Sequence, residues 1–160
     1  MKVRNLPLKG VQCAWAFRPE AIAVREKLKR LVYRSESLID HSEVAALDAI
    51  FRTSLTNNKR DRITGALALP DGKFVQVIEG AEAEVDALMV RIRADRRHEK
   101  LAVLGEWAVT ARLFPGWAMA RPDPTPLSKQ AFHIVTEDGS GVQVTSVLLG
   151  MMEAPATAWW

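Results

Sequence analysis

A glutamine stands inside an otherwise apolar run, Phe74-Val75-Gln76-Val77-Ile78-Glu79-Gly80, and the chain's only tyrosine inside another, Leu31-Val32-Tyr33-Arg34-Ser35. A side-chain amide carries two N–H donors and an oxygen with two lone pairs, and all need partners once buried. One left unpaired costs about 1–3 kcal/mol. Alternation along a strand puts Phe74, Gln76 and Ile78 on one face and Val75, Val77 and Glu79 on the other. Gln76 therefore needs a specific polar partner or a bound ligand. Taken alone, each residue has a plainer reading: an amide satisfied by neighbouring backbone, and a core tyrosine with its hydroxyl on a partner. Together they have chemistry. A phenol and an amide that meet beneath two helices make a site rather than a packing accident.

Whether the two meet depends on the elements that carry them. Hydrophobic periodicity predicts strands over about 30–35, 63–69 and 74–80, and helices from about Ser42 to Asn58 and from Glu82 to Arg97. Asp40 or Ser42 is a plausible cap for the first of these helices. Pro70-Asp71-Gly72 is a turn, because proline fixes φ and glycine accepts positive φ. Strands over about 101–110 and 112–120 complete the order. The fold class expected is α+β: a ferredoxin-like βαββαββ five-stranded sheet with two helices on one face, plus a C-terminal helical extension. In such a sheet the first and third strands are central neighbours, so Tyr33 and Gln76 meet beneath two helices.

Outside this unit, residues 1–28 read as an N-terminal extension, with helix-favouring residues over Pro19–Lys29. Residues 29–121 form the central domain. Residues 122–160 read as a stiff linker with Pro122, Pro124 and Pro126, then a helical cap whose inner face carries Val142, Ser146, Leu149 and Met152. Trp159 and Trp160 end the chain as a frayed tail.

Composition narrows the function classes. The 160 residues, 48% hydrophobic and 26% charged, suit one soluble globular domain. A net charge of +3 is too mild to argue for nucleic acid. The single cysteine, Cys13, excludes an internal disulfide framework and fits a reducing compartment. No run approaches the roughly 18 apolar residues that span a bilayer. Pro7, Lys9, Gly10 and Gln12 interrupt any signal-peptide core, so a cytoplasmic protein is expected. His41, His98, His133 and Cys13 lack metal-ligand spacing, and no metal site is expected.

Five stretches in order carry a family resemblance: Leu31 to Ser35; Asn57-Asn58 with Ile63-Thr64-Gly65; Phe74 to Gly80; Asp95-Arg96-Arg97-His98; and Arg112-Leu113-Phe114-Pro115-Gly116-Trp117-Ala118-Met119. Over roughly residues 29–120 the chain resembles the BLUF domain, a blue-light sensor using flavin. The resemblance implies a non-covalent flavin, FAD with FMN as the alternative, between the two helices. Tyr33 is then the electron and proton donor, and Gln76 bonds both phenol and flavin and rearranges after light absorption. Asn58, with Asn57 where some family members carry histidine, contacts one edge of the ring. Arg97, with His98 beside it, holds the opposite carbonyl. Trp117 and Met119 occupy the positions that relay the switch.

No cyclase or phosphodiesterase region follows in these residues, so the expectation is a non-enzymatic signalling protein acting through a downstream protein partner, with self-association into a homo-oligomer. Rival readings are weaker. An acylphosphatase-type enzyme needs a glycine-rich arginine cradle that the loop after Tyr33 lacks. An RNA-binding sheet needs exposed aromatics on its central strands, and only Phe74 joins Tyr33 there. A flavoprotein doing redox work in the dark is the closest alternative.

Overall fold

In the computed structural model the described residues are 26–40, 42–122, 130–133, 135 and 139–153. Residues 1–25 lie outside them, as do Pro124, Pro126, Trp159 and Trp160. The expected extension, most of its helix, part of the linker and the terminal tryptophans therefore have no structural account. Of the helix expected over Pro19–Lys29, the described part is not helical: Glu26 and Lys27 lie in no helix or strand, and Leu28 begins a strand.

The elements are β1 (Leu28–Ser37), α1 (Val44–Arg60), β2 (Thr64–Ala68), a 3-10 turn (Pro70–Gly72), β3 (Lys73–Ala81), α2 (Glu82–Ala94), β4 (His98–Val109) and α3 (Gly141–Glu153). The β2–β3 turn uses the residues expected of it: Pro70 opens it, and Gly72 takes a φ of 78° that a side chain would resist. Helix α2 places Glu82 and Glu84 in its first turn and Arg91 and Arg93 in its last, matching charge to the helix dipole at both ends. Asp40 does not cap α1; its carboxylate accepts the Ser42 N–H at 2.8 Å one step earlier, and Glu43 is the cap residue.

The sheet is four-stranded, in the order β2-β3-β1-β4, and each neighbouring pair is antiparallel. The expected central pairing of the first and third strands is present. The expected fifth strand over 112–120 is not: this segment runs through bends and turns, with one isolated bridge from Ala120 to Ala66. Pro115 has no N–H to give a ladder, and the chain turns at Phe114, whose carbonyl accepts the Trp117 N–H at 3.3 Å. What remains is a lateral contact along β2. Gly65 N–H donates to Trp117 O at 3.0 Å, Ala120 N–H to Gly65 O at 2.9 Å, and Leu67 N–H to Ala120 O at 2.9 Å.

Strand alternation divides the core into two layers. On one face, Leu31, Tyr33 and Ile78 pack with Ile63, Val85 and Met89, while Leu67 and Phe74 pack with Leu47 of α1. On the other, Val32, Val75 and Val77 pack with Phe114, Phe132, Val144 and Leu148. Withdrawing side chains of this size from water stabilises by about 1.5–3 kcal/mol each. Within the C-terminal extension, Gly141–Glu153 form a helix, but its phase differs from the one expected. Gly141, Val144, Thr145 and Leu148 face the sheet, whereas Val142 is 59% exposed and Ser146 points outward. Gly141 decides this: a Cβ there would stand 3.2 Å from both Val32 and the Trp107 ring, so α3 begins with its backbone against the sheet.

Candidate functional site

A cleft opens between α1, α2 and the sheet face that carries Tyr33 and Gln76. Its apolar walls come from Ile50 of α1, Leu88 and Ile92 of α2, and Leu67 and Phe74 of the sheet. This explains why α1 is less buried than its periodicity predicts. Only Leu47 and Asn58 of that helix are buried, Val44 and Leu55 are exposed, and Ile50 borders the cleft.

Tyr33 and Gln76 lie directly opposite each other on β1 and β3. The Tyr33 hydroxyl donates to Gln76 Oε1 at 2.6 Å, with both residues buried. The other end of the amide is held more loosely: Nε2 lies 3.6 Å from the Met119 thioether sulfur. Burial drives the Tyr33 pKa well above the ordinary phenol value, and the Asp95 carboxylate pushes it the same way. The phenol is therefore held neutral, as a donor, at physiological pH.

Asn58, in the last turns of α1, is 1% exposed, and its Nδ2 donates to Ala118 O at 2.9 Å. Asn57 lines the cleft beside it. Arg97 is not at the end of a helix as expected. Helix α2 stops at Ala94 because Asp95 turns to extended backbone, and Arg97 follows in the turn before β4. There Asp95 accepts the Arg97 backbone N–H at 3.0 Å and its Nε at 2.9 Å. The Arg97 guanidinium holds the Asp95 carboxyl below the usual carboxylate range, and Asp95 raises Arg97 in return.

His98 opens β4 and packs edge-on to Phe74, with ring centroids 6.2 Å apart. Its Nε2 lies 2.8 Å from Ile92 O and must carry the proton there, which leaves the lone pair of the neutral ring on Nδ1. That atom is buried with no hydrogen-bond partner, on a residue that lines the cleft.

The two residues expected to relay a change part company. Met119 reaches Gln76, whereas the Trp117 side chain is 42% exposed and tilts against Phe114, away from the cleft lining. Sequence reasoning passed over Glu79, Arg30 and Arg112. Glu79 is fully buried on the opposite face of β3 from Gln76, and Arg30 Nε donates to it at 2.6 Å. The signal was available, since a carboxylate inside an apolar run demands a cation as surely as an amide demands a partner.

The cleft has a cavity volume of ≈ 150 Å³ and opens to solvent at its mouth. Apolar walls from two helices, a phenol and an amide on the floor, and an arginine, a histidine nitrogen and asparagines at the edges suit a flat heterocycle with a polar rim. The donor set fits a flavin. Among the described residues no helix is long and apolar enough to cross a membrane, and no group of His, Cys, Asp and Glu could hold a metal ion.

Comparison with known proteins agrees with the chemistry. Residues 28–120 match the family model described as sensors of blue light using FAD. The chain is 33% identical over 93 residues to the photoactivated adenylate cyclase subunit beta of Euglena gracilis, covering 58% of this chain and 11% of that protein. It is 34% identical over 103 residues to the alpha subunit, covering 9% of it. The chain thus spans about a tenth of these relatives. Among solved structures, the dark state of the BLUF protein BlrB superposes with a TM-score of 0.68 at 33% identity, covering 80% of this chain and 96% of that one. A bacterial light-regulated adenylyl cyclase matches with a TM-score of 0.62 at 33% identity, covering 69% of this chain and 34% of the cyclase. With more than half its length matched, and an amide–phenol pair at the floor of a cleft between two helices, the chain belongs to the BLUF family of flavin-binding blue-light sensors.

Proposed function

We propose that Tyr33 and Gln76 are the photochemical switch of this sensor. The observation that carries this reading is the buried 2.6 Å bond from the Tyr33 hydroxyl to Gln76 Oε1 at the floor of the cleft. When bound, flavin supplies blue-light absorption and an excited state able to accept an electron. Tyr33 is placed to give that electron and then its proton, with the Gln76 amide next in line. Gln76 can then rotate or tautomerise, so that the group facing Tyr33 changes from acceptor to donor and local bonds are rewritten without moving the backbone far. Asn57, Asn58, Arg97 and His98 orient the ring edges, and Met119, with Trp117 further out, carries the change along the 112–120 segment. Light can drive such a pair reversibly only where its two states differ by a few kcal/mol.

The rest of the reading extends this core. The sheet order, with β1 and β3 central, supports the ferredoxin-like wiring. Residues 29–121 act as the sensor, residues 122–160 as linker and helical cap, and residues 1–28 as an extension. FAD is the expected flavin; a related Klebsiella pneumoniae structure carries FMN, so FMN is the alternative. Several relatives named here are light-regulated cyclases, and this chain matches their sensor portion, so its own role is signalling rather than catalysis. It acts through a protein partner or its own oligomeric state, in a cytoplasmic setting.

An absorption spectrum taken before and after blue light tests the reading. A yellow protein whose flavin band moves reversibly to the red supports it. A protein that stays colourless after reconstitution with FAD overturns every flavin reading. In Gln76→Leu the flavin should remain bound and the shift disappear; an unchanged shift refutes the role given to the amide.

A further inference from the structure

One polar row crosses the whole sheet on the face opposite the cleft. Thr64 of β2 pairs with Glu79 of β3, Glu79 with Arg30 of β1, and Arg30 with Trp107 of β4. Glu79 is 0% exposed and Arg30 9%. Arg30 Nε donates to Glu79 Oε1 at 2.6 Å, and the guanidinium lies 5.9 Å from the centroid of the Trp107 ring. A carboxylate this deep persists only when its lone pairs are filled. Here the remaining ones accept backbone N–H groups of the 112–120 segment. Leu113 N–H reaches both Glu79 oxygens at 3.0 Å, and Phe114 N–H reaches Oε2 at 3.0 Å. Arg112 fastens the same place from the other side, donating to Glu79 O at 2.6 Å, Thr64 Oγ1 at 3.0 Å and Arg62 O at 2.8 Å.

Five to six residues beyond this clasp, the same segment delivers Ala118 O to Asn58 and the Met119 sulfur to Gln76. The segment has no strand ladder to fix its register, only three backbone bonds to β2. Its position beside β2 and the Gln76 amide is therefore set at one end by Glu79. We propose that Glu79, fixed by Arg30 and seconded by Arg112, is a positioning residue for the photochemical switch, holding the segment so that Met119 meets the Gln76 amide. This rests on the assignment of Tyr33 and Gln76 above. Glu79 touches neither of those side chains; it acts through the backbone of Leu113 and Phe114.

The test is a cycle of flavin-loaded, full-length variants read by recovery of the flavin band in the dark. Glu79→Gln keeps an acceptor for the Leu113 amide but removes the charge that orders Arg30. Loss of the restoring contact at Met119 should slow dark recovery by about threefold or more, and in a Met119→Ala background the same change should have no further effect. Recovery at the parental rate with only a lowered melting temperature overturns the proposal, as do faster recovery and full additivity with Met119→Ala. If Glu79→Gln does not accumulate in folded form, Arg112→Lys loosens the same segment from its part-exposed side and is judged by the same criteria. A parent protein that shows no light-induced shift at all overturns the underlying switch assignment instead, so the two failures are distinct.

Discussion

Tyr33→Phe removes one oxygen atom and leaves the ring in place. Its consequences follow from where that oxygen sits. Gln76 is 4% exposed, and the 2.6 Å phenol bond is the one that satisfies its carbonyl. Without the hydroxyl the amide oxygen becomes a buried acceptor with no donor, at a cost of about 1–3 kcal/mol. Part of this is returned because the fold no longer has to desolvate a hydroxyl, so a net loss of about 1–2 kcal/mol is expected. For a chain of this size each kcal/mol moves the melting temperature by about 2–4 °C, giving a fall of about 2–8 °C. Melts followed by circular dichroism check this, at matched free flavin, because bound ligand raises apparent stability. The same sample, illuminated, should show no reversible red shift. A melting temperature within about 1 °C of the parent, together with a normal photocycle, would refute both the energetic worth of the bond and the donor role.

Other outcomes follow from the same coordinates. Tyr33 is the only tyrosine, so phenolate absorption reports it alone. Its raised pKa means that its contribution to stability is complete below the ordinary phenol value of about 10 and is lost as pH rises toward the folded value. Alkaline titration should therefore show phenolate appearing together with unfolding, and a separate phenolate step in folded protein contradicts the burial. Asp95 behaves oppositely: its lowered pKa gives stability present above about pH 3.9 and lost as pH falls through the folded value. Asp95→Asn should flatten the acid limb of a stability–pH curve, by a small amount since the group is partly exposed. Gly65→Ala should fail to fold or melt far below the parent, because a Cβ there would stand 2.0 Å from Val77 O, against the backbone of β3; a stable alanine variant measured by thermal melt would show that β2 can move away. Glu79→Ala leaves Arg30 charged and buried without its partner and should cost about 3–5 kcal/mol in denaturant unfolding.

Much of the site was legible because its chemistry conflicts with its surroundings. A glutamine and a tyrosine in apolar strands announce partners, and period-two alternation places them on one face. Three features were harder to read. The 112–120 segment has strand-like composition, but Pro115 and the turn at Phe114 allow only a lateral contact with β2. Arg97 sits beyond α2 because Asp95, two residues earlier, accepts its backbone N–H and ends the helical path. The phase of α3 depends on a close backbone approach at Gly141, which hydrophobic spacing does not encode. Glu79 was readable in principle, yet a charge at the end of a strand passes easily for a solvated one.

The two ends of the Gln76 amide are gripped unequally, and this bears on dark noise. A receptor is useful only if thermal fluctuation seldom imitates the stimulus. Under the role proposed for Gln76, false signal in darkness scales with the population of the flipped amide, which falls tenfold for each additional 1.4 kcal/mol or so that holds the resting orientation. The short bond to the Tyr33 hydroxyl supplies that restraint at the oxygen end. At the nitrogen end a thioether, a weak acceptor at 3.6 Å, adds little resistance once the phenol has changed. On that proposal, quiet and sensitivity reside at opposite ends of a single side chain, and substitutions at Tyr33 and Met119 should tune them separately.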